Sequence, residues 1–188
     1  NHKPEIAIAL GDDFLACYGF ASAETILNNL KENPALGETF PLREGTSQPD
    51  EQYLKDIVSK MFLELDTPEN KDKLTQIIEG INKHIQDNGA NSEHQKLFEI
   101  LLSQYGNCDI GILFTFFLNV LSLKTGESFV ISPDEPHAYI RGDLVEAMVN
   151  SDNVVRGGLT PKLKDTKILM DLLRYEFKER KQNSGESI

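Results

Sequence analysis

Histidine, arginine, lysine and carboxylate side chains crowd the segment from Pro133 to Lys162, PDEPHAYIRGDLVEAMVNSDNVVRGGLTPK, among short apolar strand-like runs. Charges at that density are costly to bury unless a ligand or metal pairs with them. A second cluster, Asn1-His2-Lys3-Pro4-Glu5, stands at the other end of the chain. Zinc takes nitrogen and oxygen donors and can leave one position open for catalysis, so Glu5 and His137 can serve as two of its ligands. Tyr139 lies two residues beyond His137 and shares its strand face, which sets a phenol beside the imidazole. Arg156 precedes Gly157 and Gly158, where backbone and ligand can approach closely. Lys162 follows the Thr160-Pro161 bend, and Lys3 shares a strand face with Glu5. Three cations near one pocket can hold a phosphate or a developing oxyanion. A plainer reading makes the segment a solvated hairpin in which Arg156 pairs with Asp152 or Glu146. The other two histidines, His84 and His94, fall on polar helical stretches and are expected in solvent.

The elements that must carry these groups change period twice. Residues 5–10 and 14–20 read as strands joined by the turn Gly11-Asp12-Asp13. On the first, Glu5, Ala7 and Ala9 share a face, and two alanines beside a carboxylate suit a pocket floor. From Ser22 to about Tyr105 the pattern is helical. Ser22 is a cap, Leu54, Ile57, Val58, Met61, Phe62 and Leu65 form one stripe, and Thr67-Pro68 opens a further helix. Leu74, Ile77, Ile78, Ile81 and Ile85 are its buried face, and a last helix runs from about Ser92 to Gln104. After a short helical or irregular piece at 110–116, strands are expected near 117–124, 128–132, 137–141 and 143–149. A final helix after Lys164 puts Ile168, Leu169, Leu172 and Leu173 on one face, before a polar tail. Residues 1–20 and 107–188 thus form a β body, and 21–106 a helical insertion.

The chain has 188 residues and a formal net charge of −11. That charge argues against nucleic acid, whose binding needs basic patches, and against an anionic membrane surface. No run of 18 apolar residues is present to span a membrane, and no signal peptide is visible. Cys17 and Cys108 have neither CxxC nor metal-ligand spacing and read as free thiols of a reducing cytoplasm. The first residue is Asn rather than Met, which suggests a cleaved product or a fragment.

With these residues in hand, the chain resembles the type I mannose-6-phosphate isomerases, zinc enzymes of the cupin superfamily. Asn1-His2-Lys3-Pro4-Glu5 looks like that family's NHKPE signature, and Pro136-His137-Ala138-Tyr139 looks like its second ligand segment. The stretch from Ser151 to Lys162 is similar to its SDNVVRAGLTPK run, with Gly157 in place of alanine. The resemblance implies an α+β fold, a cupin-type antiparallel β body (a partial jelly roll) with an inserted all-helical domain. It implies interconversion of mannose 6-phosphate and fructose 6-phosphate through a zinc-assisted enediol. Glu5 and His137 would be zinc ligands, and Arg156 the catalytic arginine. His2, Lys3, Tyr139, Glu146 and Lys162 would line the sugar-phosphate pocket, with Glu146 or His2 as the base. The family's other two zinc ligands lie on a strand upstream of NHKPE, so the resemblance implies a central fragment with an incomplete Zn2+ site. Missing strands would expose sheet edges and invite self-association. Two other readings differ in what they require. A non-catalytic cupin-like module that binds a sugar phosphate needs no metal-plus-arginine constellation, and a cupin oxygenase calls for a histidine-dominated ligand set.

Overall fold

The computed structural model describes residues 3–151, 154–160, 162 and 164–179. Alternation of small and branched residues makes the first strand, β1 (Glu5–Ala9), which buries Glu5, Ala7 and Ala9 and leaves Ile6 and Ile8 on the other face. Next comes β2 (Phe14–Phe20), buried at every position. The Gly11–Asp13 turn does not make these two a hairpin. Instead β1 is the centre of one three-stranded sheet and β2 the centre of another. The first sheet has β4 (Ser128–Ile131) and β6 (Leu144–Met148) at its edges, and the second has β3 (Leu118–Leu123) and β5 (His137–Arg141). All pairings within the two sheets are antiparallel. Between the sheets lies a small core of Ala7, Ala9, Phe14, Ala16, Tyr18, Leu121, Leu123, Phe129 and Ile131.

The helices cover the other face of the second sheet. They are α1 (Ala23–Glu32), α2 (Pro34–Thr39), α3 (Glu51–Ser59), α4 (Lys71–Asn88), α5 (Glu93–Tyr105) and α6 (Ile110–Phe114). Ser22 caps α1 by accepting from Thr25 N, and Ser92 opens α5 with Gln95 in a capping box. The stripe from Leu54 to Leu65 is buried as its spacing predicts, although its second half winds as a π-helix over Lys60–Leu65. Thr67 does not cap a helix with its side chain. A 3-10 turn over Pro68–Asn70 intervenes before α4, and the Thr67 hydroxyl donates back to Glu64 O at 3.3 Å.

One apolar cluster joins the helices to the sheet, running from Leu15 and Cys17 of β2 and Val120 of β3 through Ile26, Leu54, Ile78 and Phe98. Its hub is the FTFF run, where α6 passes into a 3-10 turn (Thr115–Phe117). Phe114 packs edge-on against Phe20 at 5.9 Å and Phe62 at 5.6 Å, and Phe117 meets Phe40 at 5.4 Å. The last helix, α7 (Thr166–Leu172), buries Leu169 and the following Leu173, while Ile168 and Leu172 stay about half exposed. It rests a narrow edge on the core rather than the four-residue face the spacing suggests. Among the described residues no helix is long and apolar enough to cross a membrane.

Burial in this core pushes the Cys17 thiol up to about 12, because the thiolate would have no water around it. Cys108 is only half buried. One thiol is therefore expected to react with a disulfide reagent in the native protein, with the second appearing only in denaturant. Two fast thiols at native conditions would contradict the packing around Cys17.

Candidate active site

Pairing register and two β-bulges bring the candidate residues together at one end of the space between the sheets. Glu5 stands opposite Met148 on β6, and Ala7 stands opposite Glu146, so both carboxylates face inward. On the second sheet Tyr18 pairs with His137 and Ala16 with Tyr139. A bulge at Gly19 lets its N–H reach Pro136 O at 2.8 Å, which fixes the chain one residue before the imidazole. The space above Ala7 and Ala9 is not an open pocket floor. Phe14, Tyr18, Phe129 and Tyr139 fill it with rings 5.4–6.3 Å apart. The small residues of β1 leave room for large ones from the second sheet and from β4 beside them.

Glu5 is buried and has two cationic or potentially cationic neighbours. Lys3 Nζ lies 3.2 Å from Oε1, and His137 Nε2 lies 3.4 Å from Oε2. The imidazole's other nitrogen, Nδ1, is 3.0 Å from the backbone carbonyl of Glu135. A carbonyl only accepts, so Nδ1 carries a proton. In the neutral ring Nε2 then presents a lone pair to a carboxylate oxygen, an arrangement that needs a proton or a cation between the two atoms. An imidazole that donates from one nitrogen to a carbonyl and offers the other to a carboxylate-lined space has the disposition of a metal ligand. The carbonyl is itself held firmly. The Glu135 side chain accepts from Ser132 N at 2.8 Å and from Lys178 Nζ at 2.6 Å, and that ammonium sits 4.9 Å over the Tyr18 ring.

The cluster extends through Tyr139, whose ring is 5.9 Å from that of His137. Its hydroxyl donates to Glu146 Oε1 at 2.5 Å. Burial, then the Glu146 bond and the Glu146 and Glu5 charges, push the phenol well above its usual range. Tyr139 is therefore a permanent donor that orients Glu146. Lys3, Glu5, His137, Tyr139 and Glu146 thus form one continuous chain of contacts.

The remaining predicted residues make no hydrogen bond or ion pair to this cluster among the described residues, or lie outside them. His2 is among the latter. Arg156 is half buried, and its guanidinium makes no ion pair or hydrogen bond among the described residues. It does not pair with Glu146, whose carboxylate is bonded to Tyr139, and Asp152 is not described. Lys162 does not join the Glu5 cluster. It lines a cleft beside Phe62, Asp66, Lys164 and Thr166, and Lys164 pairs with Asp66 across it at 2.5 Å. His94 is the clearest correction. It is buried, its Nε2 is 2.8 Å from Leu118 O, and it stacks on Phe116. Helical spacing had the signal, since 94, 97, 98 and 101 fall on one face and the other three are apolar.

Whether these groups suit a zinc ion can be judged from the donors alone. Glu5 and His137 fit as one half of a site, converging with the correct atoms free. Among the described residues no three His, Cys, Asp or Glu side chains converge to complete one.

The chain is 38% identical to a mannose-6-phosphate isomerase of Cryptococcus neoformans, an alignment covering 94% of this chain and 46% of the relative. It is 37% identical to the mannose-6-phosphate isomerase of Homo sapiens over 93% of this chain and 43% of that one. Among solved structures, a lysine-to-alanine variant of phosphomannose isomerase from Salmonella typhimurium superposes with a TM-score of 0.77 at 27% identity, covering 95% of this chain and 43% of that one. A mannose 6-phosphate isomerase bound with zinc and yttrium superposes with a TM-score of 0.76, also at 27% identity and with the same coverage. No family model matches the chain. The chain spans less than half the length of the curated relatives it matches. It is similar to a segment of the mannose-6-phosphate isomerases and over that segment has an α+β, cupin-like fold.

Proposed function

We propose that these residues form the part of a mannose-6-phosphate isomerase that supplies two zinc donors and much of the sugar-phosphate pocket. The reaction is the interconversion of mannose 6-phosphate and fructose 6-phosphate. The observation that carries this reading is the 3.4 Å approach of His137 Nε2 to Glu5 Oε2 with Nδ1 already donating to a carbonyl, which turns one nitrogen and one oxygen donor toward the same point. A zinc-bound relative of the same fold supports it. Glu5 and His137 would hold the zinc, which when bound supplies a Lewis acid beside the substrate's carbonyl.

The chain's own residues have distinct tasks. Moving a proton between C1 and C2 through an enediol needs a base within reach of both carbons. Glu146 is suited to that, because Tyr139 fixes one carboxylate oxygen and the other has no hydrogen-bond partner among the described residues. His2 is the alternative base. Lys3 offsets the Glu5 charge, and Arg156 supplies a fixed positive charge to the enediolate. Lys162 would attract the phosphate. The free thiols Cys17 and Cys108 suit a cytoplasmic enzyme.

Zinc titration and a coupled isomerase assay on the 188-residue chain test the reading together. Weak zinc binding without turnover is expected. Glu5→Gln or His137→Ala is expected to weaken binding further, by more than the roughly 10–100-fold that loss of a mere outer partner costs. Zinc binding indifferent to both substitutions would overturn the metal assignment. Turnover that vanishes in Arg156→Ala would mean that the half-site is completed in another way.

A further inference from the structure

We infer that Asp109 is a positioning residue for the Arg156 loop, the group through which the helical layer fixes where that arginine stands. The inference rests on reading Arg156 as the catalytic arginine. Between Val154 and Thr160 the described backbone forms neither helix nor strand, so its position must be set from outside. Asp109 Oδ1 accepts from Leu159 N at 2.9 Å and also from Gly111 N at 2.8 Å. The second bond is the ordinary cap of α6. The first joins the same oxygen to a residue fifty positions away and has no part in capping.

Three further contacts lock the junction. A Cβ added at Gly158 would stand 2.7 Å from both Cα and N of Gly111, and one added at Gly111 would stand 2.8 Å from Leu159 N. Backbone meets backbone there, and neither side can yield. Leu159 is held at φ 55, a conformation that branched side chains rarely adopt unless their surroundings impose it. On the other side, Gly157 backs onto Phe62 and Leu169, which an added Cβ would approach to 3.2 and 3.1 Å. Asp109 in turn precedes a helix whose five residues are all buried. The arginine's backbone is thereby referred to the rigid core, and no ion pair among the described residues takes up its charge.

Capping and clamping can be separated by substitution. Asp109→Ser retains a good cap but is too short to reach Leu159, whereas Asp109→Asn retains a carbonyl oxygen for both donors. Hydrogen exchange on the 188-residue chain reads the clamp directly. The Leu159 amide is expected to exchange about tenfold faster in Asp109→Ser and near the wild-type rate in Asp109→Asn, with the melting temperature little changed in either. Gly158→Ala is expected to give the same acceleration independently. With this chain substituted for the matching segment of a homologous isomerase, Asp109→Ser should lower kcat about tenfold with KM little changed, and Asp109→Asn should restore it. Unchanged exchange at Leu159 in Asp109→Ser overturns the clamp. Faster exchange with unchanged kcat overturns the positioning role. An unsubstituted chimaera without activity sinks the functional reading instead, and exchange then still decides the clamp.

Discussion

Arg156→Ala is expected to lower kcat about a hundredfold, the effect of removing one oxyanion-stabilising group, when these 188 residues replace the matching segment of a homologous mannose-6-phosphate isomerase. That factor corresponds to about 3 kcal/mol of transition-state stabilisation. The argument is electrostatic. The aldose and ketose are neutral at the reacting carbons, and negative charge gathers there only as the enediolate forms. A cation that meets charge only in the transition state lowers kcat when lost and leaves KM nearly alone. Arg156 is suited to this because no carboxylate among the described residues neutralises it and its loop is pinned against Gly111, Phe62 and Leu169. Arg156→Lys keeps the charge but loses the planar fork, so partial recovery is expected. Steady-state kinetics of the three proteins measure both effects. A rise in KM with kcat intact would make Arg156 a group that binds substrate and nothing more.

How much of this was legible beforehand depended on the range of the interaction. Local signals held. The strand face carrying Glu5 and the isoleucine stripe of α4 follow from periods of two and 3.6, and the cap Ser22 from its residue type ahead of a helical pattern. Glu5, His137 and Tyr139 were legible as candidates from residue type and spacing, and the resemblance added Glu146. Their convergence was not, because it depends on β1 and β5 lying in different sheets and on the Gly19 bulge. The Gly11–Asp13 turn looks like a hairpin turn, yet the chain uses it to cross from one sheet to the other. The surroundings of Lys162 were hidden for the same reason, since spacing from Arg156 says nothing of the Asp66–Lys164 pair beside it. Asp109 could be read as a helix cap before an apolar run, but its bond to Leu159 is a tertiary event with no local trace. Glu135 was equally hidden, because it acts on His137 through its backbone carbonyl and not through a side chain.

Phe116→Ala should remove about 3–5 kcal/mol of stability, the range for truncating a buried phenylalanine, and lower the urea midpoint accordingly. Phe116 has no exposed surface. Its ring lies 5.8 Å from Phe98 and stacks at 6.3 Å on His94, both on α5, and its carbonyl accepts from Asn29 Nδ2 of α1 at 2.7 Å. The two flanking phenylalanines reach β2, the π-helical turn and the end of α2, so the cavity would open where the helices meet the second sheet. Neighbours tied to so many elements have little freedom to collapse into it, which places the cost toward the upper end. Phe116→Leu keeps most of the volume and should cost less than about 1.5 kcal/mol. The same experiment bears on how the chain is divided. The apolar cluster runs without a break from β2 and β3 through the helices, so far-UV dichroism at helical wavelengths and a fluorescence probe on the sheets should lose signal at one shared midpoint, shifted together by the substitution. Two separate midpoints, with only the helical one moving, would mean that the inserted helices fold as a unit of their own and that Phe116 belongs to that unit alone.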